Sequence, residues 1–154
     1  MPKISVNPNA KAPDFVAVAP GDYQMTFQRF PEKHSGQSDK GNWWARLKLV
    51  HTAPSSSLLS LKSGLPLKAD ELPGSVSAVF MLDDRGQGKV RQAFEAAGLA
   101  WPTEADAPTF ESELEYAEWI QQNLENKVAV VCLSTKLNKE RGTWDNEVAK
   151  YVTE

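Results

Sequence analysis

The sequence predicts a mainly β protein: a five-stranded Greek-key barrel with one helix between its third and fourth strands and an acidic helix inserted behind that helix. Three observations carry this expectation. Residues 23–28 and 43–50 alternate apolar and polar side chains with a period of two, the mark of a strand with one face in a core and one in water. Residues 74–82, 127–133 and 143–152 are three further short runs of strand-forming composition. Helical spacing is confined to residues 89–97 and 110–124, between the third and fourth of these strands.

A chain of 154 residues suits a single domain with a hydrophobic core that needs no staples. The one cysteine, Cys132, excludes an internal disulfide and fits a reducing compartment. It lies in an apolar run, where an inert buried thiol is expected. No run is apolar enough for a membrane span or a signal peptide, so a cytoplasmic protein without a membrane partner is expected.

Taken in order, residues 1–20 hold prolines at 2, 8, 13 and 20 and few apolar anchors besides 15–18. An extended arm, mobile at its start, is expected there. Residues 21–154 form the single domain. The first strand, 23–28, turns Tyr23, Met25 and Phe27 inward. Residues 31–41 are polar and carry two glycines, which suits a mobile hairpin tip used for binding. Residues 52–73 hold three prolines and five serines and are expected to be an irregular, partly disordered loop insertion. The first helix buries Val90, Phe94 and Ala97 and stops at Gly98. Residues 103–125 are the acidic helical insertion, with Phe110, Leu114, Ala117 and Ile120 or Leu124 as its stripe. Residues 127–133, the most apolar run, read as a strand buried on both faces. Residues 138–142 are the basic tip of the last hairpin.

The second strand holds the chemistry. Trp43, Ala45, Leu47 and Leu49 share one face, and Trp44, Arg46, Lys48 and Val50 the other. An outward indole offers a flat surface for a base, and cations at alternate positions match a phosphate backbone crossing the strand. This strand is therefore expected to floor a groove for single-stranded nucleic acid. A net charge of −3 argues against binding through bulk basicity. The charges are segregated, however: residues 29–48 contain five cations, and residues 99–126 contain seven acids and no Lys or Arg.

Five strands with a helix between the third and fourth is the order of the oligonucleotide-binding fold, or OB-fold, which binds across strands two and three and the loops joining strands 1–2 and 4–5. Those places hold Trp44, Arg46 and Lys48 on the floor, Lys33, His34 and Lys40 in the first loop, and Lys136, Lys139, Arg141 and Trp144 in the last hairpin. Trp144 is divided evenly between core and groove.

Four stretches carry a resemblance. They are residues 20–23 (Pro-Gly-Asp-Tyr), the 35–44 loop and strand ending Gly-Asn-Trp-Trp, residues 88–99 around the helix, and residues 126–130 entering the fourth strand. Together these resemble the phage-encoded single-stranded-DNA-binding proteins of the OB-fold class, over most of residues 20–152. The resemblance implies sequence-independent binding and protection of single strands in replication or recombination, with replication or recombination proteins as partners. It leaves room for RNA as the strand and for a homo-oligomer. Bacterial relatives of that kind carry a flexible acidic tail, whereas this sequence closes on Tyr151-Val152-Thr153-Glu154. Partner binding would then fall to the acidic 104–125 segment.

Other chemistry finds no residues to carry it. Asp83-Asp84 lacks a third carboxylate at calcium-loop spacing. Residues 86–89 (Gly-Gln-Gly-Lys) lack the spacing and hydroxyl of a nucleotide loop. No nucleophile elbow or histidine–carboxylate motif is present, so neither catalysis, a metal nor a cofactor is expected. The competing expectation is a protein-interaction module acting through the acidic 104–125 segment.

Overall fold

The computed structural model describes Ser5, Val6, Pro8, Asn9, Ala12 and residues 14–153. In chain order the elements are β1 (Asp14–Val16), β2 (Gly21–Arg29), β3 (Ser35–Gln37), β4 (Trp43–His51), β5 (Glu71–Pro73), β6 (Val76–Met81), α1 (Gln87–Ala96), α2 (Glu113–Leu124), β7 (Val128–Asn138) and β8 (Thr143–Tyr151). The protein is mainly β, and its larger sheet is antiparallel.

Strict alternation fixes that sheet. β4 buries Ala45, Leu47 and Leu49 completely, and β2 buries Met25 and Phe27. The two strands face each other with Phe27 opposite Leu49 and Arg29 opposite Leu47. β3 continues the β2 edge, placing Gly36 opposite Trp44. On the other edge of β4, β6 sets Phe80 opposite Ala45 and Ala78 opposite Leu47. β4 is therefore paired along both sides, and a slip of one residue would turn every buried side chain to water. β7 pairs with the remaining edge of β2, and β8 with β7.

The sheet curls until its outer strands approach. Tyr151 of β8 stacks on Phe27 at 6.1 Å and on Phe80 of β6 at 6.0 Å between ring centroids. No ladder joins β6 to β8 among the described residues. Burial drives the Tyr151 phenol well above its ordinary pKa, so it stays neutral in this stack.

The five long strands and two helices fall where the sequence places them; the finer expectations need correcting. Residues 127–133 are not covered on both faces. Ala129, Val131 and Leu133 are buried, but Val128 and Val130 are 43% and 39% exposed, because their neighbours across the ladder are only Thr26 and Gln24 of β2. Leu114 is also exposed. It lies in the first turn of α2, whose buried stripe begins one turn later with Ala117, Ile120, Gln121 and Leu124. Phe110 packs instead on Tyr116 and Trp119, at 5.5 Å from each ring. Ser112 caps the helix by accepting from the Glu115 amide at 3.2 Å.

Residues 52–73 form an irregular excursion that is anchored at several points. Leu58, Ser60 and Leu67 are buried, and β5 runs parallel to β1, with Phe15 opposite Leu72. The expected arm is correspondingly tied down from β1 onward. Val18 is fully buried, and Asn146 of β8 grips it, accepting from its amide at 2.8 Å and donating to its carbonyl at 2.9 Å. Residues 1–4, 7, 10, 11 and 13 of the arm lie outside the described residues.

α1 follows β6 through a turn with no room for a side chain. Asp83 Oδ1 accepts from the Gly86 amide at 2.8 Å, which gives that carboxylate a structural role. A Cβ on Gly86 would run into the Met81 carbonyl. At the far end of the helix Gly98 takes the left-handed conformation, with φ of 79°, that the sequence predicts for it. Gly86→Ala is expected to lower stability by about 1–3 kcal/mol, the usual range for overpacking. Denaturant unfolding checks this; a midpoint equal to wild type would mean that the turn yields at no cost.

Candidate nucleic-acid surface

The alternation that buries Ala45, Leu47 and Leu49 directs Trp44, Arg46 and Lys48 outward as one row. β6 runs alongside, with Met81 opposite Trp44, Val79 opposite Arg46 and Ser77 opposite Lys48. Val79 and Met81 are both exposed, so apolar surface borders the cations.

Two contacts fix the row. The Trp44 indole lies over its cross-strand partner Gly36, so closely that a Cβ there would stand 3.0 Å from the ring. Glycine at that position is what lets the ring lie flat. The Arg46 guanidinium sits 4.1 Å from the centroid of Phe30 and 5.8 Å from that of Trp44. Its Nε donates to the Lys33 carbonyl at 2.8 Å, and its backbone amide to the His34 carbonyl at 2.8 Å. Arg46 thus pins the first loop to the strand, with Lys33 held in a left-handed conformation at φ 54°.

α2 supports the same loop from beneath. Gln121, fully buried, donates to the His34 carbonyl at 2.9 Å. Arg29 donates to Glu118 at 2.9 Å and lies 3.3 Å from Glu125. The Arg29 hydrogen bond holds the Glu118 carboxyl below its usual pKa. Part of the acidic segment therefore neutralises a cation of the fold.

The nine residues expected to form the site divide into two groups. Trp44, Arg46 and Lys48 share one face, with Lys33 beside Arg46. Lys40 is exposed at the β3–β4 turn, which is braced by hydrogen bonds between Ser38 and Asn42 and between Gln37 and Gly41. Lys136, Lys139, Arg141 and Trp144 belong to the β7–β8 hairpin, at the opposite end of the strands. The pairing register separates Trp44 from Trp144 by at most about 50 Å along the strand direction. Within the hairpin, Lys136 stands opposite Asp145, which offsets its charge. Lys139 and Arg141 flank an exposed tip ordered by Asn138, whose side chain accepts from the Glu140 and Arg141 amides. Trp144 projects from the other face of this hairpin, opposite Leu137.

Trp144 is 52% exposed, so of the two places expected for it, core and groove, the core does not hold it. Trp43, Trp101 and Trp119 pack against the core, the latter two with Phe94 at 5.3 and 5.0 Å. Burial in this aromatic cluster pushes the Tyr116 phenol up to about 12.

Phe30, Val79, Met81 and Phe15 lie on or beside the surface, and the sequence reading did not single them out. Phe30 and the β6 pair carried a usable signal, since they precede the basic loop or alternate out of phase with buried residues. Phe15 carried none, because its placement depends on β5, far along the chain. Two grooves lie at its end of the molecule. One, of about 350 Å³, is lined by Phe15, Lys48, His51 and residues 72–75. The other, of about 600 Å³, is lined by Phe15, Leu61, Lys62, Thr135 and Trp144 among others. No group of residues able to hold a metal ion is present among the described residues. No family model matches the sequence, and no curated protein does.

His51 makes the fold sensitive to pH. Its ring meets Tyr23 edge-on at 5.0 Å, and both ring nitrogens are buried without a hydrogen-bond partner. Burial lowers its pKa, so the unfolded chain takes up a proton that the folded chain resists. The stability contribution is complete above the unfolded value of about 6.5 and falls as the pH drops below it. His51→Phe should remove the part of the acid loss that begins near that value. An unchanged slope in unfolding curves between about pH 6.5 and 5 would contradict this assignment.

Proposed function

We propose that this protein binds single-stranded nucleic acid, DNA in the first instance, without sequence preference and without catalysis, on the outer face of β4 and β6. The strand order β2, β4, β6, α1, β7, β8, with α2 inserted before β7, supports reading the sheet as an OB-fold. In that fold the floor is formed by the second and third strands, here β4 and β6, and the flanks by the loops at residues 30–42 and 139–142.

One observation carries the reading: Trp44, Arg46 and Lys48 form a single outward row whose indole is held flat over Gly36. A flat, partly open indole beside a guanidinium and an ammonium suits a base stacked on the ring with its phosphates along the cations. The exposed Val79 and Met81 would extend the apolar part of the floor. The resemblance to phage-encoded single-stranded-DNA-binding proteins points the same way and suggests protection of strands in replication or recombination.

Titration with oligo(dT) is expected to quench tryptophan emission, with an affinity that falls steeply as salt rises. Trp44→Ala should weaken binding by about 1–3 kcal/mol. Lys48→Ala should weaken it uniformly across sequences and lower the salt slope by about 0.7, the release expected for one phosphate on a single strand. Wild-type protein that neither quenches nor shifts an oligonucleotide at low salt would defeat the proposal.

A further inference from the structure

We propose that Phe15 and Trp144 form a second base-stacking station at the far end of the surface, occupied by bases of the same strand after it has crossed β4. This deepens the function proposed above and rests on it.

Among the described residues, Phe15 and Trp144 are the two aromatic side chains left most open, at 71% and 52% exposure. They line the same groove of about 600 Å³, although 129 positions separate them in sequence. Core packing does not account for either ring. The lining of this groove includes Lys62 and no carboxylate. Lys139 and Arg141 follow at the adjoining hairpin tip, exposed and close in sequence to Trp144. Open aromatic walls in a lining that holds a lysine and no carboxylate are suited to an unpaired base and its phosphate, and poorly suited to an acidic or purely apolar ligand.

The groove also has a route to the first site. Phe15 lines the neighbouring groove together with Lys48, the last residue of the outward row on β4. The two grooves thus share Phe15, which lines one with Lys48 and the other with Trp144. Phe15 is held in place along this route. Its strand pairs with β5, the Leu61 amide donates to the Ala17 carbonyl at 2.9 Å, and Asn146 grips Val18 three residues on. The backbone that carries the ring is therefore already positioned, which limits the entropy lost on binding.

The test compares full-length wild type, Phe15→Ala, Trp144→Ala and Trp44→Ala against oligo(dT) of about 4 and about 16 nucleotides, the range one such barrel covers. Thermal melts check that each variant folds, and Phe15→Tyr and Trp144→Phe serve as variants that keep a ring. Phe15→Ala and Trp144→Ala should each weaken binding of the long oligonucleotide by about 5- to 150-fold. They should leave the short one bound as in wild type, while Trp44→Ala weakens both and the ring-keeping variants restore most of the affinity. If Phe15→Ala and Trp144→Ala bind the long oligonucleotide as wild type does while Trp44→Ala does not, the second station is overturned and the function proposed above stands. Equal losses on both lengths, or no rescue by the ring-keeping variants, would also overturn it. Wild type that binds neither length would remove both proposals.

Discussion

The constraint on which the rest depends is the double pairing of β4. It has β2 and β3 along one edge and β6 along the other, and Ala45, Leu47 and Leu49 on its inward face are sealed from solvent. With pairing fixed on both sides, the outward row has no freedom of register. Trp44, Arg46 and Lys48 therefore share a face for reasons of core packing, before any ligand is considered. Gly36 then adds the local condition under which the indole lies flat.

Around that strand the molecule divides its charged residues between support and surface. Arg29 is cationic but is taken up by Glu118 of α2 and by Glu125 at the end of that helix. Arg46 serves both ends: its Nε and amide tie down residues 33 and 34, and its guanidinium plane packs on Phe30 beside Trp44. The acidic helix, with fully buried Gln121 beneath His34, therefore acts as a brace for the loop above the proposed binding floor. At the other end Asn146 joins the arm to β8, so the grooves there are built from three distant parts of the chain.

Local pattern made much of this legible. Period-two alternation located β2, β4 and β6, and helical spacing with Gly98 located α1. The outward placement of Trp44, Arg46 and Lys48 followed from the same count. What pattern could not convey was long-range pairing. β1, β3 and β5 have three residues each, too few for a periodicity, and exist because a partner strand supplies their hydrogen bonds. Val128 and Val130 look buried by composition, but their exposure depends on what lies across the sheet. Leu58 and Leu67 sit in a stretch rich in Pro and Ser whose composition suggests disorder, and their burial is a tertiary effect. Phe15 is a parallel case: the groove it lines is completed by a hairpin more than a hundred residues away.

The most direct test of the central claim is a map of the bound surface, obtained by following backbone amide and indole N–H resonances of the labelled protein during titration with oligo(dT). The account predicts the largest shifts at the Trp44 indole and along the outward positions of β4 and β6, including Arg46, Lys48 and Val79. Shifts confined to α2, or absent throughout at low salt, would contradict it.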